Sequence, residues 1–107
     1  MIITGKWRVR AGAVLIEIDG IDLPESLYRG YDIATLENRL EEVLESSESG
    51  ELDGHESGPE NNTLFLYGAD AEALFHAVEP VLQDYPLCRG AGVTIRQNDQ
   101  ERRIVLS

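Results

Sequence analysis

The apolar residues of this chain recur with two different periods, and the order in which those periods alternate limits the folds open to it. Val14, Ile16 and Ile18 alternate with Leu15, Glu17 and Asp19, the pattern of a half-buried strand. Trp7 and Val9 alternate in the same way with Lys6, Arg8 and Arg10. A two-residue turn at Ala11-Gly12 predicts a hairpin in which Val9 faces Val14, Trp7 faces Ile16 and Lys6 opposes Glu17. The row Lys6, Arg8, Arg10 then reads as cations guarding an edge strand, with a binding strip as the other reading.

The period then lengthens. Ile33, Leu36, Leu40, Val43 and Leu44 fall at spacings of three and four, which predicts a helix from an N-cap at Asp32 to about Glu48. "TLFLY" returns to alternation, with Leu64 and Leu66 on one face and Phe65 and Tyr67 on the other. "GADAEALFHAVEPVLQDY" predicts a second helix capped by Asp70, with Leu74, Val78, Val81 and Leu82 buried. Pro80 should kink it or open a new turn after Glu79. "GVTIRQ" and "RRIVL", separated by "NDQE", read as a closing hairpin. Residues 20–31 form a long connection, and residues 45–62 a flexible acidic loop with a weak strand near Glu51 to Glu56.

Two helices set among strands that can pair antiparallel predict one α+β domain over residues 1–107. Its form is a two-layer sandwich, an antiparallel sheet with two helices on one face. With the weak strand counted, the middle becomes a ferredoxin-like βαββαβ core with an extra strand at each end. "GELDGHESG", "LFLYGADAEALF" and "PVLQDYPLCRGAGVTIR" together resemble a family of small uncharacterised bacterial proteins. In these a D-G-x-E stretch precedes a YGxDA-type helix start and a closing strand ending in arginine. The resemblance spans Gly50 to Arg96; it implies the fold and a bacterial origin, and no activity.

Charge is segregated. Residues 31–88 hold fourteen acids against one base, Arg39, whereas residues 1–30 balance and residues 89–107 are slightly basic, for a net charge of -11. Such a centre repels phosphate, which argues against nucleic acid and anionic membranes, and it attracts a basic protein. No apolar run reaches the ~18 residues of a membrane span. "MIITGKWRVR" reads as lacking a secretory signal, and the single cysteine, Cys88, allows no internal disulfide. A cytoplasmic setting follows as the expectation, with the chain a monomer or homodimer.

Three groups of residues are candidates for function. Glu37, Glu41, Glu45 and Glu48 form a carboxylate stripe along the first helix. Like charges at that spacing cost a few tenths of a kcal/mol per pair, a cost that solubility alone does not require. Tyr28, Arg29 and Tyr31 crowd one connection and read either as a binding loop or as tyrosines that pin it to the sheet. Asp53, His55 and Glu56 are a possible reactive rim. On a regular strand, however, Asp53 and His55 share a face that Glu56 leaves, and no calcium-loop or H-E-x-x-H order is present. His76 reads as a helix-surface residue and Cys88 as a small core residue. No G-x-S-x-G occurs, and "RGAG" precedes a strand rather than a helix. No cofactor or metal is expected. The leading reading is a non-enzymatic interaction module, concretely an acidic inhibitor or immunity-type protein for a basic partner. The alternative is a small-ligand-binding or regulatory domain with its pocket between the sheet and the Tyr28–Tyr31 loop. The third is a hydrolase or metal-dependent enzyme using Asp53, His55 and Glu56.

Overall fold

A computed structural model describes residues 11–106. The strands are β1 (Gly12–Asp19), β2 (Glu51–Ser57), β3 (Asn61–Gly68), β4 (Gly92–Gln97) and β5 (Gln100–Val105). The helices are α1 (Glu25–Gly30), α2 (Ile33–Ser47) and α3 (Ala71–Asp84), and a single 3-10 turn spans Pro86–Cys88. All pairings are antiparallel and the sheet order is β2-β3-β1-β4-β5. The molecule is thus α+β. α2 joins β1 to β2 with β3 lying between them, and α3 joins β3 to β4 with β1 between.

One face of the sheet carries the core. Val14 lies between Leu66 and Ile95, and Ile16 between Leu64 and Val93. Leu36, Leu40 and Leu44 of α2 and Leu74, Phe75 and Val78 of α3 close over these residues in one buried cluster. Two aspartates start the helices as expected. The Asp32 side chain accepts a hydrogen bond from the Thr35 N–H, and that of Asp70 accepts from the N–H groups of Glu72 and Ala73.

Several expectations are corrected. The strand expected at Lys6 to Arg10 lies outside the described residues, but both edges of β1 are filled by β3 and β4. Val14 therefore faces Leu66 and Ile95 instead of Val9, and Ile16 faces Leu64 and Val93 instead of Trp7. Periodicity assigned the strand but could not choose its neighbours. The connection 20–31 contains α1, six residues with none buried, too short to show a stripe. Residues 45–62 contain the end of α2, all of β2 and the start of β3. α2 stops at Glu48, whose φ of 55° is left-handed. The chain then turns through Gly50, where a Cβ would strike the Tyr67 carbonyl oxygen. α3 runs through Pro80 to Asp84. The carbonyl that the proline leaves without its usual donor is that of His76, and both residues lie on the exposed side of the helix.

Candidate functional site

The carboxylate stripe of α2 divides into two parts. Glu37 is only 18% exposed, and its Oε2 lies 2.9 Å from Nδ1 of His55 on β2. Further along, Glu41, Glu42 and Glu45 are exposed, and among the described residues no base pairs with them. Glu48 caps the helix end and has a partner of its own. The one base of the helix is directed elsewhere. Arg39 Nη2 lies 3.1 Å from Asp84 Oδ2, and its guanidinium sits 5.7 Å over the Tyr85 ring. Other described arginines also pair away from α2: Arg29 with Glu25, Arg96 with Glu101, Arg102 with Glu72 and Arg103 with Glu17. Arg102 grips Glu72 through two bonds, of 2.7 and 3.0 Å, and holds that carboxyl below its ordinary pKa.

His55 reaches Glu37 because β2 is irregular. The pairing with β3 runs from Leu52–Leu66 to Gly54–Phe65 and skips Asp53. This bulge returns His55 to the helix side, opposite Leu64, where Leu52 also faces; Glu56, opposite Thr63, turns to the other side. Asp53, His55 and Glu56 are therefore not brought together. Among the described residues no group of three or more His, Cys, Asp or Glu side chains is arranged to hold a metal. His76 is exposed on α3. Cys88 is 1% exposed, and burial pushes its thiol up to about 12 against a small opposing pull from Arg39.

The Tyr28–Tyr31 segment forms one wall of a cleft of about 250 Å³, with Ile18, Asp19, Asp32, Ile33, Asn62 and Leu87 completing the lining. Its walls are tied to the backbone. The Tyr28 hydroxyl accepts from the Leu23 N–H and donates to the Asp19 carbonyl, both at 3.0 Å. Asp19 Oδ1 in turn accepts the N–H groups of Ile21 and Asp22 at 2.8 and 2.9 Å. Those bonds, the one from Asp22 foremost, lower the pKa of Asp19. Asp32 is lowered too, first by its side-chain bond with Thr35 and then by the Thr35 N–H. Both carboxylates are consequently ionised at neutral pH. The Tyr31 ring packs edge-on to Tyr85 at 5.5 Å. Arg29 plays no part in the cleft; it pairs with Glu25 at the surface.

Sequence reasoning missed Tyr85. This buried residue donates its hydroxyl to the Asp32 carbonyl at 2.6 Å and accepts from the Asp32 N–H at 3.1 Å. The two contacts join the end of α3 to the start of α2, and burial raises the phenol pKa. A tyrosine ending an amphipathic helix was the only local signal. Among the described residues no helix is long and apolar enough to cross a membrane. No family model, curated protein or solved structure matches the chain.

Proposed function

We propose that this chain is a non-enzymatic binding module whose α2 face meets a basic protein, in the manner of an acidic inhibitor or immunity-type protein. The observation that carries this reading is the exposed trio Glu41, Glu42 and Glu45, which no base among the described residues pairs with, while Arg39 and the other paired arginines engage acids elsewhere. A surface built only for solubility would interleave the signs, which relieves repulsion along the helix. Uncompensated carboxylates raise the encounter rate with a cationic surface. The domain behind that face is read as ferredoxin-like, with β1-α2-β2-β3-α3-β4 as its βαββαβ unit and β5 added. Support comes from two helices that each join strands separated by one other strand.

The test is the association rate of a partner captured from cell extract, then purified, against wild type and the Glu41→Gln/Glu45→Gln double variant at low and high salt. The double variant should associate more slowly at low salt, and the difference should shrink as salt rises. An equal rate at low salt would reduce the stripe to a solvated face.

A second reading, a small-ligand or regulatory domain, is favoured by the cleft beside Tyr28 and Tyr31, whose lining is pinned before any ligand arrives. Thermal stabilisation of the chain by a member of a metabolite panel would support it.

A further inference from the structure

We infer that the face of the sheet turned away from the helices is the seat of the chain's own N-terminal segment, with Trp7 resting on Leu15, Phe65 and Tyr67. The inference is independent of the reading of α2 as a partner face.

The face follows from the strand registers. Along β1, Val14, Ile16 and Ile18 point into the core, so Ala13, Leu15 and Glu17 point the other way. Leu15 stands opposite Phe65 on β3 and Thr94 on β4, and Ala13 opposite Tyr67. None of Ala13, Leu15, Phe65 and Tyr67 belongs to the core cluster or packs against it. Each described helix turns its apolar residues into that cluster, α1 through Leu27 and Tyr28, and among the described residues no helix lies over the second face. A sheet face that meets water carries polar residues at such positions. Here the centre is one aliphatic and two aromatic side chains, all half-buried, with Ala13 and Thr94 beside them at 7% and 9% exposure. Charge stands around them, with Arg96 and Arg103 on one flank and Glu51 and Glu56 on the other. An apolar centre inside a charged rim is the pattern of a covered surface.

The occupant follows from what precedes β1. Residues 1–10 lie outside the described residues. Both edges of β1 are filled, so the alternating stretch Lys6 to Arg10 cannot pair with it. That stretch still has one apolar side, Trp7 and Val9, which needs a surface to cover. Reach agrees. The Ala11 carbonyl is fixed by the Asn98 N–H at 2.9 Å. Leu15 comes four residues after Ala11 and Trp7 four before it, each about 13 Å away in extended chain. A segment folding back at Ala11 therefore brings the indole over Leu15 and Phe65. Charge agrees as well. With Trp7 and Val9 against the sheet, Lys6, Arg8 and Arg10 point away from it, and their long stems carry the cations toward the acidic flank on β2. A second copy is the poorer occupant, because two such faces in contact would join two chains of net charge -11.

The test uses the full chain, in which Trp7 is the sole tryptophan, so that fluorescence reports one residue. Acrylamide should quench Trp7 severalfold less in the native chain than in urea, and to the same degree at every protein concentration. Nuclear Overhauser contacts should join the Trp7 indole to the Leu15 methyl groups and the Phe65 ring. Phe65→Ser should raise quenching toward the urea value, while unchanged amide signals of Ile16 and Leu66 show that the fold is retained. Trp7→Ala, a change outside the described residues, serves should Phe65→Ser fail to fold. It should shift the amide signals of Leu15, Phe65 and Tyr67 and leave those of Leu40 and Leu44 in place. Quenching as strong in the native chain as in urea would overturn the inference. So would Trp7→Ala shifts confined to another surface. Protection of Trp7 that is lost on dilution, with a dimer in sedimentation, would assign the face to a second copy and overturn the intramolecular seat.

Discussion

Asp32 has three connections that no local pattern joins. It caps α2, its carbonyl and N–H both meet the Tyr85 hydroxyl, and it lines the cleft. The hydrogen bonds with Thr35 hold its carboxyl below the ordinary aspartate range, so the folded state favours the ionised form. The stability this supplies is fully present above the unfolded value and disappears as pH falls through the folded one. Asp32→Asn retains a capping oxygen and cannot titrate. Wild type should therefore lose stability relative to Asp32→Asn as pH falls below about 4, read by urea denaturation over a pH series. A gap that stays constant from about pH 5 to pH 2 would show that Asp32 is not held low by its cap.

At the scale of elements, β2 reaches its place through glycine. A Cβ on Gly68, at the end of β3, would collide with the Ser49 carbonyl oxygen, and one on Gly50 with the Tyr67 carbonyl oxygen. These are backbone atoms, which cannot rotate aside as a flexible side chain would. Gly68→Ala should destabilise the fold by about 1–3 kcal/mol. Gly30, at the end of α1, has nothing within 4 Å of a built Cβ. Gly30→Ala should be neutral or stabilising by up to about 0.5 kcal/mol. Denaturation midpoints of the two variants check this, and equal effects would mean that the β2–β3 approach is looser than its geometry.

For the whole molecule, the net charge of -11 is the dominant electrostatic quantity. The described ion pairs are largely at the surface, where each contributes little to stability and is itself weakened by salt. Self-repulsion among unbalanced carboxylates is screened by the same salt. Repulsion involves more charges, so it should win. The thermal midpoint at pH 7 should rise by a few degrees between about 10 and 150 mM sodium chloride. A midpoint that falls over this range would show that the arginine pairs matter more than the net charge.

Much of this architecture is written in local periods. The Leu36, Leu40, Leu44 stripe, the caps at Asp32 and Asp70 and the alternation of β1 and β3 each depend on residues within a few positions of one another, and they read directly from the sequence. The exposure of Glu41 and Glu45 follows too, because they lie off the buried stripe of the same helix. Tertiary structure decided what depends on distant partners. β1 accepts β3 and β4 on its two edges because the long-range pairings fill both, whatever precedes it in the chain. The skipped residue Asp53 reverses the facing of His55 and brings it to Glu37, eighteen positions away. The cleft exists only where the end of β1, the α1 segment, the start of α2 and Leu87 converge. Periodicity records which side of an element is buried, while strand order, bulges and clefts are set by which elements meet, and that choice is made by the packed core as a whole.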